Sequence, residues 1–193
     1  MDLLPITLTA RQGNWSRYQA RNRNKRFAVI AKRIFLRDQY RCRFCGFQDQ
    51  HYSNVVNVDH DYSNNTSANM VTACTFCTQC FFLDAVGSHP RTGGHIIYLP
   101  EISQADLNNF CRILFSSLYK DVPYHSKLNN TYLSFKDRTK AVEDVFGEHS
   151  SDPAVFGQCL IDSHLTPEQL KHQALEDLRL LPQIKPFKEE IMY

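Results

Sequence analysis

Two short cysteine clusters constrain the fold of this chain more than any other feature of its sequence. The stretches "RCRFCGF" (41–47) and "NMVTACTFCTQCFF" (69–82) together contain five of the seven cysteines. In a C-x-x-C spacing, two thiolates can face one metal ion from a tight turn or from the start of a helix. Two such pairs supply the four sulfur ligands of a tetrahedral structural zinc site. We therefore expect one structural Zn²⁺, with Cys42 and Cys45 as two of its ligands.

The second cluster offers two overlapping C-x-x-C pairs for the other half of this site. Cys74 pairs with Cys77, and Cys77 pairs equally well with Cys80, so the spacing alone leaves both choices open. The remaining cysteines, Cys111 and Cys159, lie on predicted apolar helix faces. Because a free cysteine behaves as a small apolar residue, we expect both of them to pack in the core.

The cysteines are expected to be reduced. The sequence contains no run of 18 apolar residues, and residues 1–12, "MDLLPITLTARQ", lack a basic leader and a small-residue cleavage site. These features predict a cytoplasmic protein without direct membrane insertion. In a reducing compartment, clustered cysteines bind metal rather than form disulfides.

Positive charge is concentrated near the start of the sequence. Residues 11–43 contain 11 Lys and Arg residues and a single acid, Asp38, whereas the other 160 residues contain 11 bases and 19 acids. Such a segment indicates an anionic partner, either a nucleic acid or an acidic protein surface. A set of closely spaced cations is the candidate contact surface: Arg21, Arg23, Lys25 and Arg26.

The hydrophobic pattern predicts an α+β fold. Apolar residues at helical spacing indicate one helix over residues 14–38, residues 55–60 alternate like a strand of a β-hairpin, and a short helix is expected from Cys74 to about residue 86. The second half reads as a strand followed mainly by helices, which are predicted to begin near the following residues: Ser103, Asn130, Pro153 and Thr166. The last of these helices is predicted to extend to about Leu181. We expect a basic helix plus a zinc module over 1–93 and a helical extension over 94–193, packed together as one unit.

The first half of the chain resembles the zinc-stabilised HNH (ββα-metal) nuclease module. The residues that carry this resemblance are "C-x-x-C-G", "V-D-H" and "N-M-V-x-A-C-x-x-C". It implies that the zinc ligands are Cys42, Cys45, Cys74 and Cys77, and that Cys80 is a buried apolar residue. By the same resemblance, three further residues have family roles: Asp59 as a Mg²⁺ ligand, His60 as the base that activates water, and Asn69 as a tether for the hairpin end.

The sequence departs from the HNH pattern at one catalytic position. Thr78 follows the second C-x-x-C where the family has Asn or His, and the basic residue usual a few positions later is absent from "TQCFFLDA". A hard cation would then have one carboxylate and few other ligands. We therefore regard Asp59, His60 and Thr78 as degenerate catalytic positions and expect no enzyme activity. An alternative role for His60 is structural, bonding across the hairpin.

A second resemblance covers roughly residues 3–185. The runs "FLRDQYRCRFCGFQ", "NMVTACTFCTQCFFLDAVG", "IIYLPEISQADLN" and "PAVFGQCLIDS" resemble the DotN (IcmJ) family of the Dot/Icm type IVB secretion systems. This resemblance implies a cytoplasmic adaptor of the coupling complex. The adaptor would bind the C-terminal tail of the coupling ATPase DotL alongside its co-adaptors, and would associate with the inner membrane only through that complex.

Two other functions are compatible with parts of the sequence. One is an HNH-type metal-dependent endonuclease, and the other is a nucleic-acid-binding protein that uses the basic segment with Trp15, Tyr18 and Phe27. However, "ARNRNKR" is poor in the aromatic side chains on which single-stranded bases stack, so no strong nucleic-acid binding is expected. A steep salt dependence of DNA affinity would distinguish a nucleic-acid binder from an adaptor.

Overall fold

The structure is a computed structural model that describes residues 2–120, 123–163 and 173–192. It has an α+β fold, which confirms the predicted class. The strands form two antiparallel pairs and are β1 (Ser53–Asn57), β2 (Met70–Cys74), β3 (Gly94–Tyr98) and β4 (Leu178–Pro182). The helices of the first half are α1 (Asn14–Asn22), α2 (Lys25–Arg37) and α3 (Thr75–Gln79). Those of the second half are α4 (Gln104–Tyr119), α5 (His125–Lys136), α6 (Thr139–Phe146), α7 (Pro153–Asp162), α8 (Gln173–Glu176) and α9 (Lys188–Met192).

The prediction of one helix over residues 14–38 was wrong, because the chain breaks into α1 and α2. Asn24 has an extended backbone (φ −80°, ψ 119°), and its side chain accepts a hydrogen bond from the backbone N–H of Arg26 at 2.9 Å. This is the N-cap geometry that asparagine favours, so a new helix begins at Lys25.

Arg21, which was predicted to lie on a basic surface, is instead buried. Its guanidinium donates to Asn65 Oδ1 at 2.8 Å and to the Val55 carbonyl at 2.7 Å, and it also bonds to Asn57. The side chain therefore holds the hairpin loop together and is not available to a partner.

Strands β1 and β2 form the predicted hairpin, with Ser53 opposite Cys74 and Asn57 opposite Met70. Helix α2 covers this hairpin through a small apolar cluster of Phe27, Ile34, Val55 and Met70. The hairpin ends at Cys74, where α3 begins, so the second cysteine pair lies at the junction of strand and helix.

Residues 2–10 form an arm outside the helices and strands. The Leu4 N–H donates to the Arg43 carbonyl at 2.7 Å, and the Thr9 N–H donates to the Cys80 carbonyl at 2.9 Å. The arm thus joins the two cysteine-bearing segments along the surface of the first half.

The second half contains more β structure than was predicted. The expected helix from Thr166 begins outside the described residues, and its predicted end near Leu181 was wrong because residues 178–182 form β4. This strand pairs with β3, with Gly94 opposite Pro182 and Tyr98 opposite Leu178. A strand partner for β3 is a long-range requirement that helical periodicity near Leu181 does not reveal.

The apolar core includes residues from both halves of the sequence. The rings of Phe76 in α3 and Phe187 near the end of the described chain lie 4.4 Å apart between centroids, and both are fully buried. The helix predicted to begin near Ser103 is confirmed as α4, and the Ser103 hydroxyl caps it by accepting from the Asp106 N–H at 3.1 Å. The division of the chain at residue 93 stays a prediction.

Across the three described ranges, every helix is too short or too polar to cross a membrane.

Candidate metal centre and the Asp59–His60 loop

The first cysteine pair lies in a tight knuckle. The Cys42 N–H donates to the Phe47 carbonyl at 2.7 Å, and the Gly46 N–H donates to the Cys42 carbonyl at 3.0 Å. Gly46 has a φ of +78°, a left-handed conformation that glycine adopts without strain. The glycine in "CRFCG" therefore closes the turn that directs both thiols to the same side.

The second pair comes from the hairpin end, with Cys74 as the last residue of β2 and Cys77 in α3. The sulfurs of Cys42, Cys45, Cys74 and Cys77 all lie within 4.8 Å of one another, and all four residues are buried. The Cys45 and Cys74 sulfurs are 3.6 Å apart. A tetrahedral site with Zn–S bonds near 2.3 Å has sulfur edges of about 3.8 Å. The cluster can therefore hold a metal ion, and its size suits zinc.

The thiols of this cluster strongly influence each other's ionisation. Burial raises the pKa of Cys77, and neighbouring thiols raise it further. Burial opposes ionisation of Cys42, but hydrogen bonds from the other three thiols lower its pKa well below the usual range. Four thiolates at this distance would repel one another, so a bound cation is needed before all four can ionise together.

Helix α4 supports the cluster from the second half of the chain. The Asn108 amide Nδ2 donates to the Cys77 sulfur at 3.3 Å, and the Asn109 amide Nδ2 donates to the Cys45 carbonyl at 3.1 Å. Hydrogen bonds of this kind orient ligands around a metal. Neither asparagine was predicted from the sequence, because nothing in the pattern of α4 distinguishes these two polar positions.

A buried arginine lies beside the thiol cluster. The guanidinium carbon of Arg112 is 3.7 Å from the ring centroid of Phe47 and 4.1 Å from that of Phe76, the aromatic residues next to or within the two C-x-x-C segments. Burial lowers the pKa of Arg112, but the negative charges of Cys74 and Glu190 outweigh burial and leave its pKa raised. Arg112 is thus positioned to compensate the negative charge of metal-bound thiolates.

The same arginine forms an ion pair with the end of the described chain. Arg112 Nη1 lies 2.9 Å from Glu190 Oε1, and the two side chains are only 10% and 1% exposed. The Thr75 hydroxyl in α3 donates to the other oxygen of the Glu190 carboxylate. Burial raises the pKa of Glu190, whereas the charge of Arg112 and the hydrogen bonds from Thr75 and Arg112 oppose this rise and favour the ionised carboxylate.

The other three cysteines lie outside the cluster. Cys80 is fully buried, its sulfur contacts the Phe76 carbonyl at 3.4 Å, and burial raises its pKa, so it remains a neutral thiol. Cys111 is buried in α4 as predicted. The prediction that Cys159 packs in the core was wrong: it is exposed. Helix α7 instead buries Phe156 and Gly157, and Gly157 lies against the Leu83–Asp84 backbone with no room for a side chain.

Both oxygens of the Asp59 carboxylate accept hydrogen bonds from its own loop. Oδ1 accepts from the Asp61 N–H at 2.9 Å and from the Asn69 amide at 2.8 Å, while Oδ2 accepts from the Asn64 amide at 2.7 Å. The Asn69 amide oxygen also accepts from the Asp59 N–H at 3.1 Å. Asn69 therefore joins the two ends of the hairpin loop, as the resemblance implied. The Asp59 carboxylate holds that loop together through its hydrogen bonds.

The His60 imidazole faces the protein interior. Its backbone is left-handed (φ +57°), its ring packs on Phe81 with centroids 5.0 Å apart, and its Nδ1 has no hydrogen-bond partner within the described residues. The His60 carbonyl accepts from the Asn14 side chain at 2.7 Å. Burial, with help from Arg11, lowers the pKa of His60 to about 4, so the imidazole is neutral near pH 7.

Thr78 is buried in α3, where its hydroxyl donates to the Cys74 carbonyl at 2.9 Å. This bond satisfies the hydroxyl within its own helix, one turn after the strand end. The side chains at the three degenerate catalytic positions, Asp59, His60 and Thr78, thus each make contacts within the protein.

We expect acid to destabilise the protein through His60. Its pKa is near 6.5 in the unfolded chain and about 4 in the fold, so between these values only the unfolded state binds the proton. The free energy of unfolding should therefore fall as the pH drops from 6.5 to 4, by up to about 3 kcal/mol at about 1.4 kcal/mol per pKa unit. Urea unfolding at several pH values should show a shallower fall in His60→Gln. Equal slopes in both proteins, which share the same cysteine cluster, would contradict this prediction.

No protein-family model matches the chain. The chain is 46% identical over 186 residues to the type 4 apparatus protein DotN of Legionella pneumophila. The matched region spans 96% of this chain and 87% of that protein. It therefore covers the cysteine cluster, the Asp59–His60 loop and most of the second half.

Proposed function

The chain belongs to the DotN family, and from this membership we propose that it is a subunit of a Dot/Icm type IVB secretion system. We propose more specifically that it is a cytoplasmic adaptor of the coupling complex, which binds the C-terminal tail of the ATPase DotL beside other adaptors. Its association with the inner membrane would then be peripheral, through that complex. The observation that carries this proposal is 46% identity to DotN over both halves of the chain.

We also propose that the buried cysteine cluster binds one structural zinc ion. The ligands are Cys42, Cys45, Cys74 and Cys77, whose sulfurs lie within 4.8 Å of one another. When bound, zinc cross-links the knuckle to the hairpin end. Four protein ligands leave no open position for water or substrate, which favours a structural role over a catalytic one.

The hairpin β1–β2 followed by α3, with a cysteine pair at its end, supports an HNH-like zinc module that lacks nuclease activity. Catalysis by such a module needs a cation held by protein ligands and an imidazole directed at water beside the phosphate. Here Asp59 accepts three hydrogen bonds from its own loop, His60 faces the interior, and Thr78 is bonded to its own helix. These contacts favour the adaptor over the alternatives of an HNH endonuclease or a nucleic-acid-binding protein.

We expect the purified protein to form a stable complex with the C-terminal tail of the coupling ATPase from the same organism. Stable protein interfaces bury about 1,200 Å² or more in total, so isothermal titration calorimetry should detect a saturable interaction. The measurement needs full-length protein with any bound metal retained, because the proposed zinc ion would join the two cysteine segments.

A tail of scrambled sequence and equal charge is the matched control and should not bind. The same preparation should leave supercoiled DNA intact with Mg²⁺ or Mn²⁺. Absence of binding to the native tail would argue against the adaptor function. Nicking that disappears in both His60→Ala and Asp59→Ala would instead establish a nuclease.

A further inference from the structure

Helix α2 carries apolar side chains on two opposite faces, and only one face is packed. Phe27 and Ile34 face the hairpin and are 7% and 3% exposed. Val29 and Leu36 face outward and are 57% and 58% exposed. Residues seven positions apart lie almost in line on a helix, so Val29 and Leu36 form one outward apolar stripe.

Cations border this stripe on both sides. At 100° per residue, Lys25 and Lys32 lie along one edge and Arg26 and Arg33 along the other, again in pairs seven positions apart. We call these six residues the outer face of α2: Lys25, Arg26, Val29, Lys32, Arg33 and Leu36.

No acidic side chain of residues 2–120, 123–163 or 173–192 forms a salt bridge with the cations of the outer face. Asp38, the one acid of residues 11–43, is 2% exposed and accepts hydrogen bonds from Arg37 and from the Thr72 N–H. An acidic ligand would therefore meet unpaired cations on this surface.

We propose that the outer face of α2 binds an acidic amphipathic helix in the tail of the coupling ATPase, an inference that rests on the function proposed above. Val29 and Leu36 are separated by about 10.5 Å along the helix axis at 1.5 Å per residue. A second helix repeats its side chains with the same spacing, whereas an extended peptide places side chains on one face about every 6.7 Å. Apolar residues seven apart, flanked by Asp or Glu, would match this face.

The observations favour a protein partner over a nucleic acid or a membrane. The centre of the outer face is aliphatic, so it offers no ring on which a base could stack. Helices that lie in a membrane surface insert a broad apolar face, whereas this stripe is one side chain wide because cations border it on both sides.

The test uses a double variant that combines Val29→Gln and Leu36→Gln. Its control is Val145→Gln, the same kind of change at a 70% exposed valine of α6. Glutamine is a good helix former, so both variants should keep the circular dichroism spectrum of the wild type. The double variant should bind the ATPase tail roughly tenfold more weakly or worse, as expected for losing the burial of two aliphatic side chains. The control should bind like the wild type.

Charge reversal gives a second readout. Arg26→Glu with Arg33→Glu should slow association and weaken its dependence on salt, whereas Lys140→Glu on α6 should do neither. Wild-type affinity in the Val29/Leu36 double variant would overturn the inference and leave the adaptor function intact. An equal loss of tail affinity in the Val145→Gln control would also overturn it. The same holds if the double variant loses binding only to phosphatidylserine vesicles or to DNA and keeps its affinity for the tail. Failure of the wild type to bind the tail at all would overturn both proposals.

Discussion

Replacing Cys45 by serine is expected to give a chain that retains no metal and does not fold. The four sulfurs come from two separate segments, so the site is assembled only in the folded chain and metal binding contributes directly to folding. In small zinc modules this contribution is on the order of 10 kcal/mol, which is comparable to the whole stability of a domain. Elemental analysis should find one zinc per chain in the wild type and none in Cys45→Ser, whose circular dichroism should resemble that of the chelated wild type.

Two other cysteines provide matched controls for this experiment. Cys159→Ser changes an exposed thiol and should be neutral, whereas Cys80→Ser changes a buried thiol outside the cluster and should keep its zinc. A metal-free wild type that remains folded would contradict the zinc proposal. A full zinc load in Cys77→Ser together with loss of zinc in Cys80→Ser would show that the ligand set was assigned wrongly.

The second large effect is expected at Arg112. Arg112→Met leaves the Glu190 carboxylate, 1% exposed, without its charged partner. Removing one member of a buried pair typically costs about 3–5 kcal/mol, because the remaining charge stays buried and uncompensated. Urea unfolding should show this loss, and chelator competition should show weaker metal retention, because a positive charge near the thiolates has been removed.

Adding Glu190→Gln to Arg112→Met should restore most of the stability, since glutamine can still accept a hydrogen bond from Thr75 without carrying a charge. Arg138→Met breaks the exposed pair with Glu101, whose side chains are 37% and 57% exposed, and should cost far less stability than Arg112→Met because water screens the pair. If Arg112→Met is as stable as the Arg112→Met/Glu190→Gln variant, then Arg112 does not compensate the buried charge of Glu190.

The features predicted best from the sequence are those encoded by local spacing. The two C-x-x-C segments indicated a four-sulfur cluster, and the structure brings Cys42, Cys45, Cys74 and Cys77 together. The helix start at Ser103 is equally local, because an N-cap hydroxyl meets the N–H three residues later within the first turn. Such patterns fix geometry within one or two turns of chain.

The features that were missed depend on contacts between distant segments. Glu190 lies 78 residues from Arg112, and nothing in the sequence around either residue marks it as a buried charge. Arg21 was placed on a basic surface because its neighbours are basic, whereas Asn57 and Asn65 in the hairpin loop bind it in the interior. Side-chain pairing of this kind is decided by tertiary packing and has no local signal.

The state of the Asp59–His60 loop could be predicted only in part from the sequence. Thr78 could be recognised as a departure from the HNH pattern from the sequence alone. The hydrogen bonds that the Asp59 carboxylate accepts from Asp61, Asn64 and Asn69 could be seen only from the loop conformation.

The pairing of β3 with β4 has a consequence for the order in which the protein acquires its structure during synthesis. Some 80 residues separate Tyr98 from its strand partner Leu178. At about 5–20 residues per second, a ribosome needs roughly 4–16 s to make the intervening chain. Throughout that interval β3 has an open edge, and Ile96 and Ile97, fully buried in the finished protein, lack part of their cover. The nascent chain is therefore most exposed to aggregation, and most in need of a chaperone, after the zinc module has been synthesised and before β4 emerges.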